Sequence, residues 1–274
     1  MSNVHDKQNN RTSRFNKDTF NIITFDTVTS TQDVARAAIT AQLDGTPLPE
    51  SIPAITGNTV IRAAAQQSGR GRRARDWHSA LGGSYQTLLF APPLARKPAV
   101  SLWVAVGIAR ALSKASNDSN DSNAQPNAQP NARTGKQPIH VMVKWPNDLY
   151  INGKKVAGML CEWCRGWLLV GVGVNVINSV PETAAQLNLP LEHVHTSVIT
   201  GAAAGVRDWQ HADLLLAETF AEWDFLASRQ VTVQTGQDTL TGVARGVNEQ
   251  GCLLLDEPCC DGHVLHWSDH QSNH

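Results

Sequence analysis

The segment between residues 139 and 176 constrains the fold most, because apolar strand-like runs alternate there with tight-turn signals. Turn residues occur at Pro146-Asn147, Asn152-Gly153 and Arg165-Gly166. Asn-Gly between two apolar runs is the strongest short-range signal for a hairpin. Strands joined by connections this short pair antiparallel, since a parallel pair needs a long crossover. The segment therefore predicts an antiparallel meander.

Other periodic runs predict a mixed α/β fold around this meander. Strands are predicted at residues 21–26, 60–65 and 85–90, and helices at residues 98–113 and 211–226. Ser30, followed three residues later by an acid, is a capping signal for another helix. Its apolar stripe is predicted at Val34, Ala37, Ala38 and Ala41. The fold class is thus α/β (α+β), with a mixed, largely antiparallel sheet flanked by helices.

Changes in composition predict the domain organisation. Residues 1–20 are polar and are predicted to form a flexible tail, residues 21–229 to form one main domain, and residues 230–274 to form a small C-terminal β-barrel of short alternating strands. Residues 116–137 nearly repeat Asn, Asp, Ser, Gln and Pro, so this insertion is predicted to lack the apolar area needed for order.

The net charge and the cysteine content indicate which partners and which cellular compartment to expect. A net charge of -1 gives no general attraction to nucleic acid or to an anionic membrane, and no apolar run reaches the roughly 20 residues of a membrane helix. The N-terminal residues lack a secretory signal, and five cysteines are an odd number for a disulfide framework. A reducing cytoplasm is expected, with the pair Cys161 and Cys164 structural, not metal-binding.

A loop at residues 66–73 alternates glycines with arginines after an apolar run. Its backbone amides can approach a phosphate closely, while the guanidiniums of Arg70 and Arg72 grip it. The loop matches neither the P-loop nor the dinucleotide-binding pattern. Flexible Gly/Arg segments also bind RNA, but a structured phosphate loop is favoured in a nearly neutral chain.

Lys144 and Lys155 flank the predicted Asn-Gly hairpin and supply further positive charge. Together with the arginines, they suit phosphoryl or nucleotidyl transfer, which depends on positioning and on neutralising phosphate charge. Asp148 is a candidate Mg²⁺ ligand, since Mg²⁺ prefers oxygen ligands. Capping of the Pro146-Asn147 turn is an equally good role for it.

Five motifs in order resemble those of biotin protein ligases. They are Ser30-Thr31-Gln32, residues 66–73 with Trp77 and Ser79, residues 144–148, residues 155–158, and residues 171–176. The resemblance implies a fold like that of class II synthetases and biotinyl/lipoyl ligases, followed by an SH3-like barrel. It implies activation of biotin by ATP as biotinyl-5′-AMP, with Mg²⁺, and transfer to a lysine of the biotin carboxyl carrier protein of acetyl-CoA carboxylase or a related carboxylase.

The resemblance also implies a role for each matched residue. The biotin site takes Ser30, Thr31, Gln32, Gln66, Arg70, Gly71, Arg72, Lys155 and Gly158, and the ATP site takes Arg70, Arg72, Lys144, Asn147, Asp148 and Asn175. Catalysis is assigned to Lys155, Arg70, Arg72 and Lys144. Gln32 stands where the family usually has Asn, Ala74 replaces a usual glycine, and residues 84–86 depart from the usual Asn-Leu-Tyr.

Two other functions compete with this interpretation. A lipoate protein ligase has similar chemistry, but its Arg-Arg-x-x-Gly-Gly-Gly signature is missing from this chain. A non-catalytic nucleic-acid-binding module is disfavoured by the net charge. Because few residues precede the first predicted strand, we expect a form without an N-terminal DNA-binding domain. No nucleic-acid or membrane partner is expected, and a homodimer is possible.

Overall fold

The structure is a computed structural model that describes residues 12–14, 20–48, 52–122, 138–211, 213–256 and 258–269. Its strands are β1 (Thr12–Arg14), β2 (Asn21–Val28), β3 (Thr59–Gln66), β4 (Gly69–Arg70), β5 (Asp76–Trp77), β6 (Ser84–Phe90), β7 (Met142–Lys144), β8 (Asp148–Ile151), β9 (Lys154–Cys164), β10 (Trp167–Val174), β11 (Arg229–Thr235), β12 (Asp238–Val243), β13 (Leu253–Leu254), β14 (Pro258–Cys259) and β15 (His263–Asp269). Its helices are α1 (Thr31–Asp44), α2 (Val100–Ser122), α3 (Leu191–Gln210) and α4 (Leu216–Ala221), and a 3-10 turn spans Arg72–Ala74.

The chain forms two compact units. Unit 1 contains Met1–Leu94 and Met159–Val180, and unit 2 contains Ala95–Gly158 and Pro181–His274. Strand β9 begins in unit 2 and ends in unit 1. The predicted strands at residues 21–26, 60–65 and 85–90 are all present, within β2, β3 and β6.

Unit 1 is built on a mixed sheet with the strand order β1-β2-β3-β6-β10-β9. Strands β2 and β3 run parallel, because α1 connects them as a crossover. β6 pairs antiparallel with β3 on one side and with β10 on the other, and all of its residues are buried. This central strand carries Thr87 into the interior.

Helix α1 begins at the predicted cap, where Ser30 Oγ accepts a hydrogen bond from the Gln32 backbone N–H. The predicted stripe is wrong in part. Its buried face consists of Ala35, Ala38 and Ile39, together with two polar residues of the first turn, whereas Ala37 is exposed and Val34 and Ala41 are half-buried. The predicted stripe contained only apolar residues, so it did not include the buried polar residues of the first turn.

Part of the predicted flexible tail is a strand. Residues Thr12–Arg14 pair antiparallel with the start of β2, where an edge strand offers unpaired backbone groups. Phe20 is buried and makes an edge-to-face contact with Phe90. The rest of the predicted tail lies outside the described residues.

Unit 2 contains the predicted hairpins. β7 pairs antiparallel with β8, and β8 with the first residues of β9. Helices α2 and α3 pack through glycines: a Cβ on Gly107 would lie 2.2 Å from the Gly201 carbonyl oxygen, and one on Gly205 would lie 2.4 Å from that of Trp103. The helix axes can approach this closely only where side chains are missing.

One helix of unit 2 was not predicted, and one predicted helix there is wrong. Helix α3 was not predicted, because glycines and β-branched residues lower its helix propensity while its packing against α2 compensates. The predicted helix at residues 211–226 is reduced to α4, where Leu216 and Phe220 are buried, and Leu214 and Leu215 lie exposed before it.

The insertion is also more ordered at its start than predicted. Helix α2 continues through Ser122 instead of ending near residue 113. Ser116 Oγ donates to the Leu112 carbonyl at 2.9 Å, and Asn117 Oδ1 accepts from the Ile139 N–H at 3.0 Å. These hydrogen bonds stabilise the polar last turns of α2, which have few apolar side chains to bury. Residues 123–137 of the predicted insertion lie outside the described residues.

The end of the chain forms small antiparallel sheets, as predicted. β11 lies between β12 and β15, and β13 pairs with β14. Within unit 2 this region contacts earlier residues: Trp145 Nε1 donates to the Gly251 carbonyl at 3.0 Å, and the Phe225 ring lies between those of Tyr150 and Trp267.

The cysteines differ from expectation in one respect. Cys252 and Cys260 are joined by a disulfide, whereas Cys161, Cys164 and Cys259 are not disulfide-bonded. Burial, and secondarily the Glu162 charge, raises the pKa of Cys161 to about 12, so this thiol stays protonated. Within the described ranges, no three His, Cys, Asp or Glu residues are grouped to hold a metal, and no helix is long and apolar enough to cross a membrane.

Candidate functional site

A buried set of polar side chains lies at the start of α1 in unit 1. We call Thr31, Gln32, Gln66 and Thr87 the polar cradle. The Thr31 backbone N–H donates to Gln66 Oε1 at 2.8 Å, and the Thr31 hydroxyl donates to the same oxygen at 3.2 Å. Thr87 Oγ1 lies 2.9 Å from Thr31 Oγ1 and 3.1 Å from Gln32 Oε1. The structure therefore brings the predicted biotin residues Ser30, Thr31, Gln32 and Gln66 together.

The amide of Gln66 has one fixed orientation. A backbone N–H can only donate, so the Gln66 atom facing Thr31 is the oxygen. The Gln66 nitrogen then donates to Ser79 Oγ at 2.8 Å, which itself donates to the Trp77 carbonyl at 3.1 Å. Gly69 lies close by, since a Cβ there would lie 2.3 Å from the Trp77 carbonyl oxygen. The loop at residues 66–73, which we call the Gly-Arg loop, therefore packs against the polar cradle.

The Gly-Arg loop is held by short-range contacts of its own. The Arg70 guanidinium forms an ion pair with Asp33 on the first turn of α1. The Gly71 N–H donates to the Arg75 carbonyl at 2.7 Å, and Arg73 has a left-handed φ of 56°. Arg72 begins the 3-10 turn and is half-buried. An anion that binds Arg70 would compete with the carboxylate of Asp33.

Asn175 lies at the end of β10 in unit 1 and is 6% exposed. Its side chain is oriented by Asn178. Asn178 Oδ1 accepts from the Val176 N–H at 2.9 Å, so its nitrogen points the other way and donates to Asn175 Oδ1 at 3.3 Å. The Asn175 nitrogen is left as a donor group for an acceptor on a ligand.

Three of the site residues predicted in unit 2 lie side by side on neighbouring strands. Lys144 pairs in register with Asp148, and Asp148 with Gly158. The Lys155 ammonium reaches Asp148 Oδ1 at 2.7 Å. Lys144 is 5% exposed, and its ammonium lies 5.2 Å from the centre of the Tyr150 ring. Two ammonium groups and one carboxylate thus form a basic cluster.

Burial and a charge of the basic cluster both shift the pKa of Tyr150. Burial, and secondarily the Asp148 charge, raises the pKa of Tyr150 to about 12. Tyr150 therefore stays neutral, and its ring face can stabilise the ammonium of Lys144. Asn147 is half-buried in the turn between β7 and β8.

Three residues of these networks were missed in the sequence. Thr87 gave no signal because it lies within an apolar strand, and Asn178 lay beyond the last recognised motif. Glu162 did give a signal, because a carboxylate inside the apolar run of β9 needs a partner. Its partners are Gln32 and Arg36, at 2.9 and 2.6 Å.

Comparison with known proteins identifies this arrangement. Residues 49–177 match the biotin/lipoate A/B protein ligase family, and residues 229–258 match the biotin protein ligase C terminal domain. The chain therefore carries a segment similar to the biotin/lipoate A/B protein ligase family, followed by a segment similar to the biotin protein ligase C terminal domain. The predicted resemblance to biotin protein ligases is therefore confirmed.

Relatives with this domain include the bifunctional ligase/repressor BirA of Escherichia coli, 28% identical over 230 residues. That match covers 77% of this chain and 64% of the relative, so the chain spans less than two thirds of BirA. A biotin–[acetyl-CoA-carboxylase] ligase of Mycobacterium tuberculosis is 29% identical over 234 residues, covering 81% of this chain and 77% of the relative.

The family fold is also found among solved structures. A biotin protein ligase from Aquifex aeolicus, in complex with biotin and ATP, superposes with a TM-score of 0.65 at 22% identity, covering 91% of this chain and 99% of the other. The predicted fold class, a mixed α/β sheet with helices and a small C-terminal β domain, is confirmed.

Proposed function

We propose that this protein is an ATP-dependent biotin protein ligase that forms biotinyl-5′-AMP and transfers biotin to a lysine of a biotin carboxyl carrier protein. The observation that carries the proposal is the occurrence of both domains in one chain. The first domain is common to biotin and lipoate ligases, whereas the second is described for biotin protein ligases. The presence of both domains in this chain favours biotin over lipoate as the substrate.

The polar cradle is proposed to bind the bicyclic head group of biotin. That head group is a cyclic urea, with one carbonyl oxygen and two N–H donors. Thr31, Gln32 and Gln66 are buried or half-buried, and they present oriented hydrogen-bonding groups. A buried polar group left unpaired is costly, so a cradle of this kind selects a ligand that completes its hydrogen bonds.

The cationic residues are proposed to serve the reacting groups. Lys155 contacts the biotin carboxylate and the α-phosphate, and Gly158 leaves room for the ligand beside the backbone. Arg70, Gly71 and Arg72 form the loop that closes over biotin and the adenylate. Lys144, Asn147, Asp148 and Asn175 serve the nucleotide. Cations fixed opposite developing phosphate charge lower the barrier without reorganising during the reaction.

Mg²⁺ is proposed to enter with ATP. Asp148 is the carboxylate suited to it, but Lys155 already contacts one Asp148 oxygen. Mg²⁺ is often bound through one or two carboxylates and the phosphates of the substrate, so the phosphates of ATP are proposed to supply most of its other ligands. Mg²⁺ would add positive charge beside the phosphates.

The proposed chemistry has two steps. A biotin carboxylate oxygen attacks the α-phosphorus of ATP, and the bond from that phosphorus to the bridging oxygen breaks to release pyrophosphate. The ε-amine of the carrier lysine then attacks the acyl carbon and releases AMP. Both steps gain from positioning and charge stabilisation, and neither needs a nucleophile from this chain.

The wider assignments are part of the same proposal. Residues 21–229 are proposed as the catalytic domain and residues 230–274 as an SH3-like barrel. The acceptor is proposed to be the carrier protein of acetyl-CoA carboxylase or a related carboxylase. We propose that the enzyme acts in the cytoplasm.

The test is a pair of assays on the full chain. Exchange of labelled pyrophosphate into ATP is measured with biotin, with lipoate and with neither, and a carrier domain is analysed by mass spectrometry after the same incubations. We expect exchange and acylation with biotin. Lipoyl transfer without biotinyl transfer would assign the protein to lipoate ligation. Steeply salt-dependent binding of nucleic acid, with no exchange, would favour the binding module.

A further inference from the structure

Glu162 makes two contacts at the edge of the polar cradle, although no motif includes it. Its Oε2 accepts from the Gln32 side-chain nitrogen at 2.9 Å and from the Arg36 guanidinium at 2.6 Å. Gln32 is 3% exposed, and the Glu162 side chain is 25% exposed. A carboxylate this covered is stabilised by the charge of Arg36, so Arg36 holds Glu162 in place.

This contact decides which way the Gln32 amide faces. An ionised carboxylate only accepts hydrogen bonds, so the Gln32 atom beside Glu162 is the nitrogen. The Gln32 oxygen therefore faces into the cradle, 3.1 Å from Thr87 Oγ1. Gly171 limits its position on the other side, since a Cβ there would lie 2.6 Å from that oxygen.

The cradle is then short of one hydrogen-bond donor. The Thr31 hydroxyl donates to Gln66, so the Thr87 hydroxyl has one hydrogen for two acceptors, Thr31 Oγ1 and Gln32 Oε1. The acceptor that Thr87 does not serve can receive an N–H from a ligand. The N–H groups of a cyclic urea are donors of this kind, but they are served only while Gln32 presents its oxygen.

We propose that Glu162, held by Arg36, is a positioning residue that fixes the amide of Gln32 for the head group of biotin. This rests on the proposed function. Glu162 acts through Gln32 and does not touch the reacting atoms. Its loss lets the Gln32 amide rotate, which weakens the binding of biotin and leaves the binding of ATP unchanged.

The first test replaces Glu162 and measures biotin-dependent pyrophosphate exchange. Glu162→Leu is expected to raise the KM for biotin about tenfold, the ratio given by loss of one charge-assisted hydrogen bond. The KM for ATP is expected to stay within about twofold. Glu162→Gln still offers an oxygen to the Gln32 nitrogen, so it is expected to recover part of the loss. A rise in both KM values, or none in either, would contradict the positioning role.

The second test moves the same amide from the opposite side. Gly171→Ala places a methyl group against the Gln32 oxygen, which is the end of a flexible side chain and can move aside. We expect a higher KM for biotin with little change in Tm. A lower Tm with an unchanged KM would show that the contact serves only packing.

The chain offers a matched control. Asp44, the last residue of α1, forms an ion pair with Arg165, just beyond β9. Asp44→Leu breaks an ion pair between the same two segments as the Arg36–Glu162 pair, but it leaves the contact with Gln32 in place. Unchanged KM values are therefore expected, and a rise like that of Glu162→Leu would count against the proposal.

If the unmodified chain shows no biotin-dependent exchange, the proposed function itself fails. If exchange occurs and Glu162→Leu leaves the KM for biotin unchanged, only the present inference fails.

Discussion

The ammonium of Lys155 lies 2.7 Å from Oδ1 of Asp148, so the residue proposed to bind the biotin carboxylate already has an anion beside it. The Lys155 side chain is 33% exposed and that of Asp148 is 17% exposed. A pair this accessible to solvent contributes little to stability. Binding of a carboxylate or phosphate would let Lys155 exchange one anionic partner for another.

Lys155→Ala is therefore expected to lower the rate of biotin-dependent pyrophosphate exchange by about 10² to 10³-fold, as expected for removal of a preorganised charge from a transition state. Tm is expected to change little. Lys154→Ala, at the exposed neighbouring position, removes the same charge from the chain and should leave the rate unchanged. Equal activities in the two variants would remove Lys155 from the site.

Arg72→Gly is expected to loosen the Gly-Arg loop and to release the activated adenylate. Arg72 is a half-buried residue whose guanidinium is lost in this variant, and a more flexible residue replaces it at the start of the 3-10 turn. Released biotinyl-5′-AMP acylates any nearby amine. The measurement is biotin labelling of a bystander protein that is not a carrier, with the carrier present and absent.

Arg73→Gly is the control for the Arg72 experiment. Arg73 has a φ of 56°, which glycine adopts without cost, and its side chain is exposed. This variant adds a glycine to the same loop and keeps Arg72. Bystander labelling at the level of the unmodified chain is expected. If both variants leak equally, loop flexibility and not the Arg72 guanidinium retains the adenylate.

The sequence predicted best what depends on local signals. The hairpin at Asn152-Gly153, the Ser30 cap and the strands β2, β3 and β6 follow from turn residues, a capping signal and short strand-like runs. The motifs placed Lys144, Asp148 and Lys155 together, because tight turns fix the register of β7, β8 and β9.

Prediction from the sequence failed for features that depend on contacts between residues distant along the chain. Helix α3 depends on the fit of Gly201 and Gly205 against α2, which no local pattern contains. The role inferred for Glu162 depends on its hydrogen bond with Gln32, and the two residues lie far apart in the chain. Networks of this kind depend on which strands become neighbours, so they need a structure.

Asn178→Asp tests the orientation proposed for Asn175. The aspartate can still accept from the Val176 N–H, but it cannot donate to Asn175 Oδ1. The Asn175 amide is therefore expected to turn its nitrogen toward the new carboxylate and to present its oxygen to the ligand.

The expected result is a KM for ATP raised about fivefold to tenfold, with the KM for biotin unchanged. Asn188→Asp makes the same change at an exposed position and should leave both constants unaltered. An unchanged KM for ATP in Asn178→Asp would mean that the Asn175 nitrogen does not face the nucleotide.

Asp224 provides a test of stability against pH. It is 5% exposed, and burial raises its pKa from an ordinary 3.8 to about 6, although the Leu226 N–H and the Arg229 charge act in the opposite direction. Between these pH values the folded chain holds a proton that the unfolded chain has lost. The contribution of Asp224 to the free energy of unfolding therefore falls as pH rises from about 4 to 6, and then stays constant.

Asp224→Asn removes this titration and keeps the side-chain oxygen that accepts from the Leu226 N–H at 2.8 Å. Because one pKa unit corresponds to about 1.4 kcal/mol, the variant is expected to gain about 3 kcal/mol relative to the unmodified chain between pH 4 and pH 7. Urea unfolding at a series of pH values measures this difference, with other carboxylates cancelling because both chains share them. Parallel stability curves would mean that the Asp224 carboxylate is as well solvated in the folded chain as in the unfolded one.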